Sequence, residues 1–544
     1  MAPNTMHSST DLQNFNNELQ VATKTNDGNT NAASAVMASA ARIPRNLSRE
    51  TLAELCKREQ TDYSVGVTKQ NQLRVSHCLL KEIRLVTTCS IPHTNKTLAT
   101  IHTIQPLHCA AQQYAWGRMG SSSTVARMKE AQAVQEDDDC FAVDESKPYA
   151  ELWLGTHPNG MSMVTVHKEL QHGASYSDDS DEDNGGVEVV ADRCSLLDYV
   201  KGNPTMHCGQ ATSQDLSFLL KILSVRTVLS IQAHPDKKLA ERLHAERPDV
   251  YKDPNHKPEM AIALSEKVRA MCGFRPLPEI AQHLVEYPEF RDLLGPAVSD
   301  EIERLQHSPA TRAVLQHMFH GYLEADADTI HKHVEQMVAR LRTMDELNDL
   351  QKLILQLEEQ FPGDCGIFAP LIFNIVELNK GEALFIDANE PHAYISGEIL
   401  ECMACSDNVV RAGLTPKLKD VPTLVNMLTY DTDAPNISKG QAVDKYTIRY
   451  APPVPDFCVE TIHVPAGEMY ELSDVQSPSV ILTMDGEASL KQAGVCSLDV
   501  SYGSAAFCSA NTRCTVIAGP AGIRLTRAFN NVFHDEFKYQ GINF

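Results

Sequence analysis

The chain has 544 residues and carries a formal net charge of −23 at pH 7. So acidic a protein is not expected to be a general nucleic-acid binder, which needs a basic face. No apolar run reaches the roughly 20 residues of a membrane helix, and the polar N-terminus lacks the apolar segment of a secretory signal. The apolar share of 42% predicts a folded protein with a sizeable core, divided into about two to four domains.

Fifteen cysteines are scattered along the chain without regular spacing. This usage favours reduced thiols in a cytoplasmic protein over a disulfide framework. Cys402 and Cys405 form a CxxC pair, but no second pair lies at the spacing of a zinc ribbon. We interpret the two as packed cysteines, with a zinc knuckle or a redox pair as the alternative.

The N-terminal part of the chain differs in texture from the rest. Residues 1–40 are rich in Asn, Thr, Ser and Ala, and no sustained period follows before residue 103, so 1–102 is predicted to be a largely disordered extension. From there onward, short apolar runs punctuated by Gly, Pro and Asn indicate strands and turns. Two acidic stretches, 136–139 and 178–183, are predicted to be solvated loops, the second within a loop over 172–192.

Between about residues 275 and 361 the apolar period becomes helical. A helix start at Asp326 precedes one apolar stripe, formed by Ile330, Val334, Met337, Val338 and Leu341. A second stripe ends before Pro362 and consists of Leu347, Leu350, Ile354, Leu357 and Phe361. His331 and His333 fall on the polar side of the first stripe and are expected to be solvated. Strand patterns return after residue 365, which predicts a β-rich architecture with an inserted helical module.

The segment 229–237 combines strand alternation with polar chemistry. As a strand it places Ser230, Gln232 and His234 on one face and apolar residues on the other. A glutamine and a histidine that share a face in this way can bind one metal ion. On this segment alone, the alternative is a half-exposed edge strand whose polar residues face water.

Two later segments repeat the i, i+2 arrangement. Lys257 and Glu259 share a side in the first of them, and His392 and Tyr394 share a side in the second. Imidazole nitrogen, carboxylate oxygen and amide oxygen together suit a borderline cation such as Zn²⁺, with positions left open for substrate or water. Sequence separation leaves open whether the three segments converge.

A further carboxylate, Glu401, follows the last of these segments. Gly397 lies between it and His392, and we predict a turn at this glycine. The strand after the turn would carry Glu401 and pair with the strand before it.

Six stretches together resemble one family closely. In chain order they are 113–117, 149–157, 229–237, 253–259, 272–275 and 381–420. The last stretch is the longest and contains EPHAY at 390–394 and RAGLTPK at 411–417. Over roughly residues 103–544 the chain resembles the type I mannose-6-phosphate isomerases, which are zinc enzymes of the cupin superfamily.

The resemblance implies a mainly β fold. Its catalytic domain would be a cupin, or jelly roll, formed by 103–273 and 369–426 and interrupted by a helical insertion domain at 274–368. A second jelly roll would follow at 427–544. We recognise no counterpart in the family for residues 1–102, and the acidic loop is longer than the family pattern suggests.

The resemblance also implies one zinc ion per chain, held by Gln232, His234, Glu259 and His392. The family interconverts mannose 6-phosphate and fructose 6-phosphate, which supplies mannose for GDP-mannose and glycosylation. A monomeric cytoplasmic enzyme that acts on a small sugar phosphate is therefore expected.

Two residues are expected to carry the reaction itself. Arg411 matches the active-site arginine of the family and would stabilise the oxyanion of an enediolate. Glu401 is our candidate for the general base, and its alternative role is to orient a metal ligand or a sugar hydroxyl.

Four further residues match pocket positions of the family and are expected to bind the substrate. Lys417 is favoured for the phosphate group, with help from Ser230 and Lys257, because phosphate oxygens need cationic and hydroxyl donors. Tyr394 completes the set.

Two other functions compete with the isomerase. A cupin iron dioxygenase usually presents His-x-His with a carboxylate close by, whereas here Gln232 takes the first place and Glu259 lies 25 residues beyond His234. A catalytically silent sugar-phosphate-binding cupin could lose a ligand without penalty. The matched ligand set and Arg411 are complete here, and this favours the isomerase.

Overall fold

The computed structural model describes residues 103–135, 141–171, 187–209, 214–308, 311–493 and 495–534. The predicted extension 1–102 and the acidic stretches 136–139 and 178–183 lie outside the described residues. None of the described helices is both long and apolar enough to cross a membrane.

The strands follow the alternating and fully apolar runs of the sequence. In chain order they are β1 (Ile104–His108), β2 (Ala110–Gln112), β3 (Arg118–Met119), β4 (Pro148–Tyr149), β5 (Glu151–Leu154), β6 (Met163–Gln171), β7 (Val187–Ser195), β8 (Phe218–Val225), β9 (Ile231–Ala233), β10 (Glu259–Ala263), β11 (Lys267–Phe274), β12 (Phe373–Asn379), β13 (Ala383–Ile386), β14 (His392–Ala404), β15 (Val410–Gly413), β16 (Ile437–Ser438), β17 (Gln441–Ala442), β18 (Thr447–Tyr450), β19 (Cys458–Val464), β20 (Met469–Glu471), β21 (Ser479–Gln492), β22 (Cys496–Ser501), β23 (Ala505–Cys508) and β24 (Thr515–Phe529).

Two large antiparallel sheets contain almost all of these strands. Sheet A has the order β17-β18-β19-β24-β21-β23-β1-β6-β7, with β20 beside β24 and β22 beside β21. Sheet B has the order β16-β13-β10-β14-β8-β5-β2, and β11, β12, β9 and β15 join it around β14. Because β1 pairs with β23, sheet A contains strands from both 103–273 and 427–544, which the sequence assigns to separate domains.

One face of sheet B packs against sheet A and the other is free to form a site. All of β8 is buried, and its Leu220 joins the core between the sheets with Val480 and Phe507 of sheet A. Lys221 and Leu223 alternate onto the opposite face, where Leu223 belongs to a separate apolar cluster. The same strands therefore supply the core between the sheets on one side and, on the other, a face that carries Lys221 beside an apolar cluster.

Five of the ten described α-helices lie between β11 and β12. They are α1 (Thr124–Gln135), α2 (Leu196–Gly202), α3 (Pro204–Cys208), α4 (Lys237–Glu246), α5 (Leu277–Glu286), α6 (Pro288–Leu305), α7 (Thr311–Glu324), α8 (Ala327–Leu341), α9 (Asp349–Gln360) and α10 (Val421–Met427). Short 3₁₀ helices occupy Gly120–Ser122, Pro158–Gly160 and Cys365–Leu371. We call α5 to α9 the helical module.

Both predicted apolar stripes of the helical module are confirmed. The first stripe is buried along α8, which begins after Asp326, whose carboxylate accepts a hydrogen bond from the backbone N–H of Thr329 at 2.9 Å. The second stripe lies along and beside α9 and packs into the same core. The expectation for His331 is met, since this residue is exposed. The expectation for His333 is wrong, since its side chain is buried. The surface of α8 that packs against the protein is therefore wider than its apolar stripe.

An aromatic cluster joins the helical module to sheet B. Phe274, at the end of β11, stacks on Tyr430 and makes edge contacts with Phe319 of α7 and Phe373 of β12. Ring contacts of this kind stabilise a junction beyond the area that they bury. They fix both ends of the insertion to the sheet that carries the site.

The predicted fold class, mainly β with an inserted helical module, is confirmed. The predicted loop 172–192 extends too far, because β7 begins at Val187 and pairs with β6.

Asp326→Ala should lower the free energy of unfolding by about 1 kcal/mol, because the first turn of α8 loses its N-cap acceptor. Chemical denaturation monitored by circular dichroism measures the change. Asp328, an acidic residue of the same turn, provides the control, and Asp328→Ala should cost less. An equal loss in both variants would mean that first-turn charge, and not the cap, stabilises the helix.

Candidate active site

One row of side chains crosses sheet B on the face turned away from sheet A. Lys221 of β8 lies opposite Trp153 of β5 on one side and opposite Glu401 of β14 on the other. Directly opposed residues of antiparallel strands share a face and lie close together. The neighbouring Cys402 alternates onto the other face and packs into the core between the sheets, in agreement with its interpretation as a packed cysteine.

A second row meets the first at β14. Gln232 of β9 lies opposite His392 of β14 and also opposite Arg411 of β15. His234 follows Gln232 by two residues and therefore continues on the same face. The short strand β9 thus places four of the predicted site residues side by side.

His234, Glu259 and His392 form a buried cluster whose possible ligand atoms all lie within 4.8 Å of one another. Nε2 of His234 is 3.4 Å from Oε1 of Glu259, and Nε2 of His392 is 3.2 Å from Oε2 of Glu259. All three side chains are at most 1% exposed. The three segments that carry the predicted ligands therefore converge in space.

Backbone carbonyls fix the orientation of both imidazoles. Nδ1 of His234 donates to the carbonyl oxygen of Asn408 at 2.7 Å, and Nδ1 of His392 donates to that of Glu390 at 3.0 Å. Each bond holds the ring proton on Nδ1 and leaves the lone pair on Nε2. Among the described residues neither buried Nε2 has a hydrogen-bond partner, which is the arrangement expected of metal ligands.

The charges around the cluster favour the protonation states that a metal ion needs. Burial and the nearby Lys257 ammonium lower the pKa of His234 to about 4, so the ring is neutral at physiological pH. Burial alone would raise the pKa of Glu259, but Lys257 and His234 hold it well below its usual range. Nζ of Lys257 lies 2.7 Å from Oε1 of Glu259. A neutral imidazole at His234 and an ionised carboxylate at Glu259 bind a divalent cation without first losing protons.

These residues fit a zinc ion. Two imidazole nitrogens and a carboxylate oxygen form the three-ligand donor set of a catalytic zinc site, which keeps a further position for substrate or water. Gln232 adds an amide beside His392. Such a mixed set of nitrogen and oxygen donors suits a borderline cation better than a hard one such as Mg²⁺.

A buried ion-pair cluster lies next to the metal-site residues. Nζ of Lys221 is 3.1 Å from Glu401, 3.7 Å from Glu151 and 5.0 Å from the centre of the Trp153 ring. Burial alone would lower the pKa of Lys221, but Glu151 and Glu401 raise it above its usual value. Burial raises the pKa of Glu401, and Lys221 offsets only part of this effect.

Arg411 and Tyr394 lie beside the predicted metal ligands, Arg411 opposite Gln232 and Tyr394 next to the ring of His392. Arg411 is partly buried, and its guanidinium has no hydrogen bond or ion pair among the residues that the structure describes. Burial lowers the pKa of Arg411, but a guanidinium stays charged in proteins. Tyr394 is buried with an unpartnered hydroxyl, and burial, followed by the charges of Glu401 and Glu259, raises its pKa well above the usual value.

The three residues predicted to bind phosphate have different surroundings. Lys417 is exposed in the loop after β15, where its backbone N–H donates to Thr415 Oγ1 at 3.1 Å. Ser230 is half-buried directly before β9. Lys257 is buried and paired with Glu259.

The predicted turn at Gly397 is wrong. β14 is one strand that bends at this glycine, which has a φ of 123°. An added Cβ would lie 2.7 Å from the Val268 side chain, so the bend requires glycine. The part before the bend pairs with β11, and the part after it lies between β8 and β10. Glu401 therefore meets Lys221 of a distant strand and not the first half of its own.

Comparison with known proteins places the chain in a family. Residues 104–277 match the model of the phosphomannose isomerase type I catalytic domain, and residues 293–373 match that of its helical insertion domain. Mannose-6-phosphate isomerase 2 of Arabidopsis thaliana is 39% identical over 447 residues, which cover 80% of this chain and 96% of that protein. The chain belongs to the type I phosphomannose isomerase family.

Other relatives agree with this assignment. The mannose-6-phosphate isomerase of Homo sapiens is 41% identical over 396 residues, covering 70% of this chain and 87% of that protein. The structure of the apo mannose 6-phosphate isomerase from Salmonella typhimurium aligns with a TM-score of 0.63 and 28% identity. The alignment covers 79% of this chain and 100% of that one. A zinc-bound mannose 6-phosphate isomerase gives the same values. The resemblance seen in the sequence motifs is confirmed.

Sequence reasoning missed Lys221 and Glu151, although both carried a signal. Lys221 interrupts the apolar run 218–225, and a lysine is almost never fully buried unless it is paired. Glu151 lies in one of the stretches that resemble the phosphomannose isomerases, 149–157, but its spacing alone suggests no partner.

Lys221→Met should lower the free energy of unfolding by about 3–5 kcal/mol, because it leaves two buried carboxylates without their cation. Chemical denaturation of the purified protein measures this loss. The double variant Lys221→Met/Glu401→Gln should lose less than the sum of the single variants, because one of the unpaired charges is then absent. Strictly additive losses would contradict an energetic coupling between Lys221 and Glu401.

Proposed function

We propose that the chain interconverts D-mannose 6-phosphate and D-fructose 6-phosphate with the help of one zinc ion per chain. The observation that carries the proposal is the buried cluster of His234, Glu259 and His392, in which two free Nε2 atoms face one carboxylate. Relatives named for this isomerase and a zinc-bound structure of the same name support the reaction and the metal.

Gln232 would be the fourth protein ligand of the zinc ion. Its strand position beside His392 and two residues before His234 supports this role. Zinc bound at this place would act as a Lewis acid for the negative charge on the sugar oxygens, contributing roughly several kcal/mol. The remaining chemistry, the transfer of a proton between C2 and C1 through an enediolate, falls to the side chains around it.

Glu401 would take and return that proton. Its carboxyl group is 3% exposed, and the raised pKa that burial gives it makes it a stronger base than an exposed carboxylate. Lys221 at 3.1 Å orients the carboxylate and favours its ionised form. In its alternative role, Glu401 would orient a sugar hydroxyl through the same contacts.

Arg411 would stabilise the enediolate. It is partly buried beside Gln232, and no carboxylate among the described residues neutralises it. A permanent cation held in a poorly solvated place stabilises a developing oxyanion more strongly than one in water.

Lys417 would bind the phosphate group from the exposed loop after β15. Ser230 would add a hydroxyl donor. Lys257, which the sequence assigns to the phosphate, is paired with Glu259 and would instead contact the sugar near the metal ligands, as would Tyr394. Both of the latter residues are buried beside the cluster, which supports a role close to the reacting end of the substrate and not at its phosphate.

We also propose that the enzyme is a cytoplasmic monomer. Cys402 and Cys405, like most of the other described cysteines, are free thiols, which supports a reducing compartment. A catalytically silent sugar-phosphate-binding cupin is not favoured, because the ligand cluster, Glu401 and Arg411 are all present.

The purified protein should form fructose 6-phosphate from mannose 6-phosphate, lose this turnover on chelation and regain it when zinc is added. A coupled assay measures the rate, metal analysis gives the zinc stoichiometry, and near-ultraviolet circular dichroism checks that the chelated protein remains folded. Folded, zinc-loaded protein without turnover would refute the proposed reaction.

His392→Ala and Arg411→Ala should separate metal binding from charge stabilisation. His392→Ala loses a ligand, so zinc content and turnover should fall together. Arg411→Ala should keep its zinc and lose about 10²–10³-fold in kcat, because one stabilising charge is removed. Arg513→Ala, at a largely exposed arginine, should change neither quantity. Unchanged turnover in Arg411→Ala would remove Arg411 from the mechanism.

A further inference from the structure

A carboxylate at the end of the helical module holds the loop that carries Arg411 and Lys417. Asp364 caps the 3₁₀ helix Cys365–Leu371, and its Oδ1 accepts a hydrogen bond from the backbone N–H of Gly366 at 2.7 Å. The same oxygen also accepts from the N–H of Leu414 at 2.6 Å. Oδ2 receives a longer contact, 3.4 Å, from the N–H of Thr415.

The two chain segments touch backbone to backbone at this point. A Cβ on Gly413 would lie 2.9 Å from Cα of Gly366, and a Cβ on Gly366 would lie 2.8 Å from the backbone nitrogen of Leu414. Both positions therefore require glycine. Leu414 itself has a φ of 53°, a conformation that costs a non-glycine residue energy and persists only where the surroundings impose it.

Further contacts join Cys365, the residue after Asp364, to the chain around the loop 411–417 and to the helical module. Sγ of Cys365 lies 3.5 Å from the carbonyl oxygen of Ala412, and Nζ of Lys419 lies 3.4 Å from the same sulfur. On the side of the helical module, the hydroxyl of Tyr322 in α7 donates to the carbonyl oxygen of Cys365. The helical module thus fixes the segment 364–366, and this segment fixes the loop that carries Arg411 and Lys417.

We propose that Asp364 is a positioning residue for the isomerisation: its carboxylate locks the loop 411–417 so that Arg411 and Lys417 are held in place for the substrate. The register between β15 and β9 shifts directly after Arg411, between Arg411 and Gly413, so the sheet alone does not determine how the chain continues into the loop. Asp364 accepts from the N–H groups of Leu414 and Thr415, and these two bonds supply the missing constraint directly after that shift. The inference rests on the proposed function, because it assigns roles to Arg411 and Lys417.

Asp364→Ala should lower kcat/KM for mannose 6-phosphate by roughly 10–100-fold, since a displacement of about 1 Å in a catalytic group has effects of this size. Both parameters should change: kcat through Arg411 and KM through Lys417. Zinc content should stay at the wild-type value, because no metal-site residue contacts Asp364. Assays are run well below the melting temperature of each variant, so that loss of folded protein does not contribute.

Glu358→Ala is the matched control. Glu358 accepts a hydrogen bond from the N–H of Gly363 at 3.0 Å, directly before the turn, and its carboxylate makes no bond to the loop. It should cost stability but leave kcat and KM unchanged. Asp364→Asn keeps one acceptor oxygen and should give an intermediate loss, and it replaces the alanine variant if that variant does not fold.

A double variant decides whether Asp364 acts through Arg411. If it does, Asp364→Ala/Arg411→Ala should have nearly the kcat of Arg411→Ala alone, because the group that Asp364 positions is then absent. Fully additive losses in kcat would overturn the proposal. So would wild-type kinetics in a folded Asp364→Ala protein.

Hydrogen exchange separates this inference from the proposed reaction. The backbone amides of Leu414 and Thr415 should exchange faster in Asp364→Ala than in the wild type, whatever reaction the enzyme catalyses. Absent turnover in the wild type would refute the proposed reaction, whereas unchanged exchange in the loop would refute the positioning role.

Discussion

The site depends on keeping one carboxylate ionised where there is almost no water. Glu259 is 1% exposed, and its two oxygens face His234, His392 and Lys257. An unpaired carboxylate at such a place costs several kcal/mol, so each of these neighbours contributes to a stable protein as well as to a possible metal site. Because Glu259 begins β10, which is paired along both edges with β13 and β14, the carboxylate cannot move without disturbing sheet B.

The two faces of sheet B together allow charged side chains to remain ionised although they are buried. Along β8 and β14, one set of side chains packs with sheet A, and the alternate set contains the ion pair of Lys221 and Glu401 beside an apolar cluster. The hydrophobic core between the two sheets keeps water away from one side of sheet B, and this strengthens the electrostatic interactions on its other face. Lys221 stays charged although it is buried, because two carboxylates on the same face, Glu151 and Glu401, raise its pKa.

Local patterns predicted a large part of this structure. The stripes of α8 and α9 and the alternation at Gln232 and His234 are set by residues close in sequence, so periodicity was enough to find them. The partners of Lys221 were not predictable, because they follow from cross-strand register between segments about 70 and 180 residues apart. The bend at Gly397 escaped for a related reason, since it lies where β14 changes its partners from β11 to β8 and β10, and a local turn signal does not reveal such a change.

The place of the helical module in the chain explains how it can influence the site without supplying a metal ligand. β11 and β12 pair with each other, and Phe274 faces Phe373 where the module leaves and rejoins the sheet. The insertion therefore closes a loop between strands that are already neighbours, so the entropic cost of its length is small. The chain returns to β12 through Asp364 and Gly366, which contact the end of β15 and the loop after it. The pairing of β11 with β12 thus keeps the end of the insertion beside the loop that carries Arg411.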